Sequence, residues 1–312
     1  EYGVSTKAES KTADEFASGE VAYLLNGSTS TGTLTWFQNL DKGQTKDSFP
    51  LLDSTHGTVY PIGDLHCDGT AKGDIAGYSN DPGATGTRDD HNFGNEGFCT
   101  VCGQYQPAIL NGGVYEISNA GQLFWFGAMV NGDSSKADFE EQDLSAGAVL
   151  TEDITIPEGH NWTAMGNYYR PYTGTFDGAG HTIQGLKLES NFNYQGLVGC
   201  LDKDGRIQNL TMGASCSVSG SFYVGVLCGY NAGTIQNCTN NGTATATVTY
   251  SGGICGVNFG GAVKGCTNTG KVSGRNDTGG ICGNNSSTVE NCHNTGAVTG
   301  SGAYTGGVCG YS

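Results

Sequence analysis

Apolar and polar positions alternate in short segments along the second half of the chain, and the segments recur. In one of them the apolar members are Ile235, Val263 and Val289, and the residues that follow them are Gln236, Lys264 and Glu290. An apolar position beside a polar position that varies freely is the inward and outward alternation of a β-strand. The segments show no helical periodicity, so the pattern predicts short strands.

These strands belong to a repeat of about 27 residues. Its clearest markers are four cysteines, each in a glycine-rich run and each 27 residues from the next: Cys228, Cys255, Cys282 and Cys309. Each unit contains three short strands separated by Asn and Gly, and it is too short for a four-stranded propeller blade. Three strands per coil, stacked about 4.8 Å apart, make a three-sided solenoid. Because parallel crossovers are right-handed, we expect a mostly β fold with a right-handed parallel β-helix from about Gly174 to Ser312.

Stacking of identical coils accounts for the residues that recur. Asn240, Asn268 and Asn294 would meet one strand spacing apart and form a ladder of side-chain hydrogen bonds. The ladder cysteines could be small reduced residues that fill one core column, or disulfides could join neighbouring coils. The sequence leaves both alternatives open, and it does not decide whether Cys255 or Ile254 points inward.

Two helices are predicted before the repeats. Thr12 and Glu15 form a capping box, which predicts a helix to about Leu25 that ends at Asn26-Gly27. The residues expected on its buried face are Phe16, Val21 and Leu24. Short strands are expected at 36–38 and 58–60.

The second helix is predicted from Ala120 to Val130, with Asn119 and Gln122 at its start and Asn131-Gly132 at its end. Its expected apolar face carries Leu123, Phe126 and Val130. It precedes a strand predicted over 149–156, so we expect it to cap the first coil of the solenoid. The chain then divides into a helix-plus-strand module (1–62), a knuckle-containing loop region (63–112), and the cap with the β-helix (113–312).

A candidate metal site lies in the loop region. Cys99 and Cys102 have the C-x-x-C spacing that grips one metal ion from a single turn, and Cys67 and His91 could complete a tetrahedral set of three thiolates and one imidazole. The surrounding loop is poor in apolar residues, so a structural Zn²⁺ would staple it. A disulfide, unbonded thiols, or His66 in place of His91 are the alternatives.

Charge and hydropathy exclude several partners. The net charge is −16 at pH 7, which argues against nucleic acid and anionic membranes. No apolar run approaches the roughly 20 residues that cross a bilayer, so no membrane insertion is expected. No signal peptide is visible at Glu1, and the chain ends inside a repeat. We therefore expect a fragment of a secreted or surface-displayed protein whose signal and anchor lie outside it.

The run GTFDGAGHTIQGLKL from Gly174 to Leu188, together with GLVG and the GGICG-type repeats, resembles the GLUG-motif repeats of surface proteins from gut bacteria. Such repeats also occur beside some IgA-cleaving metallopeptidases. The resemblance covers about Gly113 to Ser312 and implies a β-helix and an extracellular setting, but no particular activity. No His-Glu-x-x-His occurs, so the peptidase domain of those relatives is absent. The run HNFGNEGFCTVCG is similar to a zinc-ribbon knuckle frequent in these proteins.

Catalysis has little support in the sequence. A β-helix hydrolase needs paired carboxylates, and a lyase needs an acidic calcium site and a base. From Arg206 onward the only acids are Asp277 and Glu290. An earlier group of ionisable residues is interpreted as turn-forming rather than catalytic: Asp153, Glu158, His160, Asp177 and His181.

Binding is the favoured function. Aromatic residues are concentrated in the early coils, where exposed rings could stack on sugars or anchor a protein, although packing against the cap or core is the alternative. The ligand-contact candidates are Tyr168, Tyr169, Tyr172, Tyr194 and Tyr223. We expect an adhesin for a host glycan or a host surface protein. A passive stalk and a polysaccharide lyase or hydrolase are the alternatives.

Overall fold

The computed structural model describes residues 10–41, 45–65, 67, 71–84 and 91–312, with backbone alone for 64, 65 and 71–76. The alternative ligand His66 therefore lies outside the described residues. Two compact units make up the chain, residues 1–92 and 93–312, and each is described by itself. The boundary between them falls within the segment 63–112 that the sequence separates as a loop region.

The N-terminal unit contains helices α1 (Ala13–Ala17) and α2 (Glu20–Leu25) and an antiparallel pair of strands, Tyr60–Leu65 and Ala71–Ser79. The capping box is confirmed: Glu15 N donates to Thr12 Oγ1 (3.2 Å), and Thr12 N donates to Glu15 Oε2 (2.6 Å). The prediction of a single helix up to about Leu25 is wrong. Gly19 lies between α1 and α2 and interrupts the helix with a left-handed backbone, φ +95°. Glycine is favoured there because any side chain would be too close to Leu40, whose Cδ1 would lie 2.6 Å from a Cβ.

Two finer expectations for this unit are also wrong. Leu24 does not share a buried face with Val21, because Leu24 is exposed while Val21 is buried. The strand expected at 36–38 is reduced to a single bridge between Phe37 and Leu51, and the strand expected at 58–60 begins only at Tyr60.

The larger unit is a β-solenoid of about six turns with roughly 28 residues per turn. Its strands form four sheets, named A to D in the order in which a coil visits them. Sheet A contains Val198–Leu201, Cys228–Asn231, Cys255–Asn258, Cys282–Asn285 and Cys309–Tyr311. Sheet B contains Ile109–Asn111, Val114–Ile117, Gly147–Leu150, Thr175–Asp177, Arg206–Gln208, Thr234–Gln236, Ala262–Lys264 and Thr288–Glu290.

Sheets C and D complete each coil. Sheet C contains Ile154–Thr155, Thr182–Gln184, Thr211–Met212, Thr239–Asn240, Thr267–Asn268 and His293–Asn294. Sheet D contains Lys187–Glu189, Ser217–Gly225, Thr243–Gly252, Val272–Gly274, Asn276–Gly279, Val298–Gly300 and Thr305–Gly306. Each coil thus visits four sheets, where the sequence predicts three strands. Most strands of sheet C are only two residues long, which is too short to show an alternating pattern.

The stacking of successive repeats in register is confirmed. Cys228 pairs with Cys255, Cys255 with Cys282, and Cys282 with Cys309, all in parallel strands. The sequence left open whether Ile254 or Cys255 points inward. In the structure both residues are fully buried. Apolar residues from all four sheets meet in one continuous core along the solenoid.

The solenoid begins well before Gly174. An antiparallel hairpin, Ile109–Asn111 with Val114–Ile117, starts sheet B, and helix α3 (Ala120–Asn131) follows it. The predicted caps of α3 are confirmed, since Gln122 N donates to Asn119 Oδ1 and Gly132 has φ +72°. Nearly every face of α3 is buried, as expected for a helix that closes the first coil. The strand predicted over 149–156 turns a corner and contributes to sheets B and C.

Candidate functional site

A column of tyrosines runs along one corner of the solenoid, just before sheet A. Tyr194 stacks on Tyr223 with ring centroids 4.6 Å apart, and Tyr223 stacks on Tyr250 at 5.0 Å. We use the name tyrosine column for Tyr194, Tyr223, Tyr250 and Tyr304, which occupy the same register position in their coils. Asp277 occupies this position between Tyr250 and Tyr304.

The column has an unusual backbone. Its four tyrosines have φ values between 59° and 64°, in the left-handed region. A bulky residue with positive φ is a steric outlier that costs about 1–2 kcal/mol. Stacking returns about 0.5–1.5 kcal/mol per aromatic pair, so the contacts between neighbours offset part of that cost. The in-register coils thus place several phenol rings at a corner where glycine would fit without strain.

A second set of residues faces the column from sheet A. This facing column consists of Tyr230, Val257, Asn284 and Tyr311, which pair in register. Tyr230 lies edge-on to Tyr194 and Tyr223 at 6.4 and 6.3 Å. A cleft of about 340 Å³ follows both columns, and its lining is Tyr168, Tyr194, Tyr223, Tyr230, Tyr250, Val257, Phe259 and Asn284.

The five predicted ligand candidates have different environments. Tyr168 stacks on Tyr194 at 5.7 Å and is largely exposed, and Tyr169 is 90% exposed. Tyr194 and Tyr223 are half-buried within the column, and desolvation raises the pKa of Tyr194 to about 12. The prediction that Tyr172 contacts a ligand is wrong. Tyr172 is fully buried and donates its hydroxyl hydrogen to Ala146 O at 2.7 Å, so it is a core residue.

The ionisable group in the first coils does not converge on one point. His181 Nδ1 lies 3.3 Å from Asp153 Oδ1, and His160 instead stacks on Phe98 with ring centroids 3.9 Å apart. Asp177 accepts hydrogen bonds from the side chains of Gln208 and Asn209 of the next coil. Asp177 therefore links successive coils through its side chain.

The predicted metal-ligating residues lie together. One donor atom from each of Cys67, His91, Cys99 and Cys102 falls within 4.8 Å of the others. Cys67 and Cys99 are buried, and the other two are partly buried. Three sulfur donors and one imidazole form a donor set of the kind that holds a metal ion in a closed tetrahedral site.

The turn between Cys99 and Cys102 is held by its own backbone. Gly103 N donates to Cys99 O at 2.9 Å, and Cys99 N donates to Gln104 O at 2.8 Å. Lys136 Nζ donates to Cys102 O at 2.9 Å, which fixes the far side of the turn. These contacts hold both cysteines of the turn in place, as a metal-binding knuckle requires.

Two columns of thiols run through the core of the repeats. Cys255 Sγ and Cys282 Sγ are 3.3 Å apart without a disulfide bond, and the second column contains Cys238, Cys266 and Cys292. Contact with the Cys238 thiol, and burial, raise the pKa of Cys266 to about 12. Burial also raises the pKa of Cys228 well above its ordinary value. The raised pKa values keep the thiols of Cys266 and Cys228 protonated and poorly nucleophilic.

Sequence reasoning missed some of the residues that build the cleft. Tyr230 lies in the glycine-rich run around Cys228, Phe259 directly follows the run around Cys255, and Tyr250 lies near the end of a long strand of sheet D. A signal was present, because Tyr194, Tyr223, Tyr250 and Tyr304 recur at nearly the same spacing as the cysteines. Comparing equivalent repeat positions would have found the column.

Comparisons with known proteins agree with this architecture. Residues 220–249 match the family model Glug, the GLUG motif. Halomucin from Haloquadratum walsbyi is 37% identical over an alignment of 124 positions that covers 35% of this chain and 1% of halomucin. A crystal structure of a protein assigned as an immunoglobulin A1 protease from Bacteroides ovatus has a TM-score of 0.50 and 24% identity, over 67% of this chain and 65% of that one. That structural likeness shows the fold alone.

Together the solenoid and the motif define a cell-surface or secreted β-helix protein. Residues 220–249 carry a GLUG motif, and the solenoid and the neighbouring repeats resemble those of GLUG-repeat surface proteins. It spans less than two thirds of the length of both relatives. Among the residues that the structure describes, no helix is long and apolar enough to cross a bilayer.

Proposed function

We propose that this protein is an adhesin-type binding module without catalytic activity, whose ligand is a host glycan or a host surface protein. The observation that carries the proposal is the column of left-handed tyrosines beside an aromatic cleft. Backbone strain of this kind concentrates at functional sites, where the surrounding structure holds it in place. A passive stalk needs no such strained residues at its surface.

The exposed aromatic residues around the column support the same function. Tyr168 stacks on Tyr194, Tyr169 packs edge-on against Tyr168, and Phe192 lines a cleft with Tyr194. All three residues are more than half exposed, with Phe192 at 79%. Tyrosine presents a large rigid ring and a hydroxyl group at low entropic cost, which suits both sugars and proteins. Asp153 contacts His181, and Asp177 accepts a hydrogen bond from Gln208 of the next coil, so these two carboxylates have partners other than the paired acid that glycoside hydrolysis uses.

The proposal is tested with the purified chain on immobilised host glycans and extracellular host proteins. We expect saturable binding that the double variant Tyr168→Ala/Tyr169→Ala weakens at least tenfold, which corresponds to about 1.4 kcal/mol. The control variant is Leu110→Ala, which removes another exposed apolar side chain far along sheet B. Binding that is equal in all three proteins would contradict the role of the tyrosines. Turnover of a polysaccharide would support an enzyme, and no binding at all would support a stalk.

We further propose that Cys67, His91, Cys99 and Cys102 hold a structural Zn²⁺. The donor set favours zinc because thiolate and imidazole are its usual ligands, and four protein ligands leave no position for a substrate. Mass spectrometry of the native purified chain should find one equivalent of zinc. The variant Cys99→Ser/Cys102→Ser should lose it, and Cys292→Ser, which changes a thiol of the core column, should keep it. Less than half an equivalent in the unmodified protein would refute this assignment.

A further inference from the structure

One position of the tyrosine column holds a short acidic side chain in place of a ring. Asp277 pairs in register with Tyr250 of the preceding coil and with Tyr304 of the following coil. Asp277 also has a left-handed backbone, with φ +46°. Aspartate tolerates this conformation better than tyrosine does, so the fold accepts Asp277 readily. The column therefore lacks one ring between Tyr250 and Tyr304, which leaves a gap there.

Rings of the tyrosine column pack edge-on against tyrosines of the facing column. Tyr304 lies edge-on to Tyr311 at an interplanar angle of 76°, and Tyr223 lies edge-on to Tyr230 at 74°. Tyr250 is nearly parallel to Tyr223, at 25°. Tyr250 and Tyr304 are therefore the ring-bearing positions of the column on the two sides of the gap. Two strand spacings separate them, about 9.6 Å, so a flat group midway would lie about 4.8 Å from each ring.

The floor of the gap is polar and negatively charged. Asp277 Oδ2 accepts a hydrogen bond from Thr249 Oγ1 at 3.1 Å, which holds the carboxylate close to the strand. Asn284 occupies the equivalent position in the facing column and lines the cleft. The other acid of residues 206–312, Glu290, pairs with Lys264 at 3.4 Å, whereas Asp277 has no ion pair within the described part of the chain.

We infer that this gap binds the guanidinium group of an arginine side chain from an extended segment of a protein ligand. The inference rests on the proposed binding function and narrows its ligand to a protein. A guanidinium is flat, stacks on aromatic faces, and pairs with carboxylates through two parallel hydrogen bonds. The tyrosine faces add cation–π attraction within the roughly 6 Å range of such contacts. A neutral sugar could donate a hydroxyl hydrogen to Asp277 but would not neutralise its negative charge, whereas a guanidinium does both.

The test uses nuclear magnetic resonance of the full chain with isotope-labelled tyrosine rings. The probe is the peptide Gly-Gly-Arg-Gly-Gly, compared with its lysine and citrulline counterparts and with a methyl glucoside. We expect the arginine peptide to shift the ring signals of Tyr250 and Tyr304 and to leave those of Tyr194 unchanged. Citrulline keeps the shape of arginine without the charge, so its peptide should bind at least tenfold more weakly.

Three variants test the position itself. Asp277→Asn removes the negative charge but places a residue there that also tolerates a left-handed backbone. We expect it to bind the arginine peptide about tenfold more weakly. Asp277→Tyr fills the gap and should abolish binding, and Tyr304→Leu removes one face and should weaken it. The control Glu290→Gln removes the other acid of this region and should leave binding unchanged.

Three results would overturn the inference: equal binding of citrulline and arginine peptides, unchanged binding by Asp277→Tyr, or no shift up to the solubility limit of the peptide. Shifts of Tyr250 and Tyr304 caused only by the glucoside would overturn it in favour of a sugar site. Each of these results leaves the proposed adhesin function standing if the Tyr168→Ala/Tyr169→Ala variant still loses its ligand. Loss of the adhesin function alone is recognised by equal ligand binding of that variant and the unmodified protein.

Discussion

Asn240 Nδ2 donates a hydrogen bond to Asn268 Oδ1 at 2.8 Å, and both side chains are fully buried. Asn268 Nδ2 donates in turn to Asn294 Oδ1 at 2.8 Å and to Gly270 O at 2.9 Å. Replacing Asn268 with Ala leaves polar groups of both neighbouring coils without this partner. We expect a loss of about 1–3 kcal/mol in the free energy of unfolding, measured by chemical denaturation.

The matched control for Asn268 is Asn241→Ala, because Asn241 is partly exposed and accepts a hydrogen bond from Thr269 near the surface. Its effect should stay within about 0.5 kcal/mol. Equal losses in the two variants would show that the buried ladder contributes no more than a surface contact.

The tyrosine column predicts an unusual order of stabilities at Tyr223, whose φ is +59°. Both Tyr223→Ala and Tyr223→Gly remove the stacking on Tyr194 and Tyr250, but only glycine relieves the backbone strain. We expect Tyr223→Gly to be more stable than Tyr223→Ala by about 1 kcal/mol in chemical denaturation. At an ordinary strand position an alanine variant is more stable than a glycine variant. If Tyr223→Ala were the more stable variant here, the left-handed corner would carry no strain.

Alkaline pH should destabilise the solenoid through Cys266. Its folded-state pKa is about 12, above the ordinary value of 9.0, so the folded thiol keeps its proton while the unfolded thiol loses it. The stabilisation is fully present below pH 9 and is lost as the pH rises towards 12. In that window the free energy of unfolding should fall by up to about 1.4 kcal/mol per pH unit more in the unmodified protein than in Cys266→Ala.

Denaturation of the two proteins across the pH range measures this difference in slope. Below pH 8 the slopes should be the same, because the thiol is protonated in both the folded and the unfolded chain. Parallel curves from pH 9 to 12 would mean that Cys266 titrates at an ordinary pKa.

The start of α3 depends on close backbone contact at Gly121. Gly121 N donates to Glu96 O at 2.7 Å, and a Cβ on Gly121 would lie 1.8 Å from Gly97 O. Gly121→Ala should therefore cost at least about 3 kcal/mol, seen as a lower melting temperature. Gly147→Ala is the control, because its Cβ would approach no atom closer than 3.7 Å and should have little effect.

The repeat could be predicted from sequence because stacking in register makes each coil meet its own copy. Cys255 and Asn268 recur at a fixed spacing for that reason, and their pairing follows directly. Strands such as Thr239–Asn240 could not be predicted, since two residues show no alternation. The break at Gly19 was missed because the fit of Leu40 against Gly19 is a tertiary contact that local propensity does not contain.

In the candidate sites, too, some residues could be predicted from the sequence and others could not. The spacing of Cys99 and Cys102 is a local signal, and the group with Cys67 and His91 could be predicted from it. The sequence could not predict that Tyr172 is buried while Tyr168 and Tyr169 are exposed. These three tyrosines have similar local sequences, and they differ only in whether the folded chain directs the side chain inward. Tyr172 points into the core, where Ala146 O accepts its hydroxyl hydrogen.

In-register stacking also bears on how such a chain can change in length. Duplication of one 27-residue unit would insert a whole coil, extend the solenoid by about 4.8 Å, and leave the pairing of its neighbours intact. Each inserted unit would bring its own corner residue, either a tyrosine or an aspartate. Gene duplication could thus reorder stacked rings and acidic gaps along the surface, and so alter what the protein recognises without a new fold.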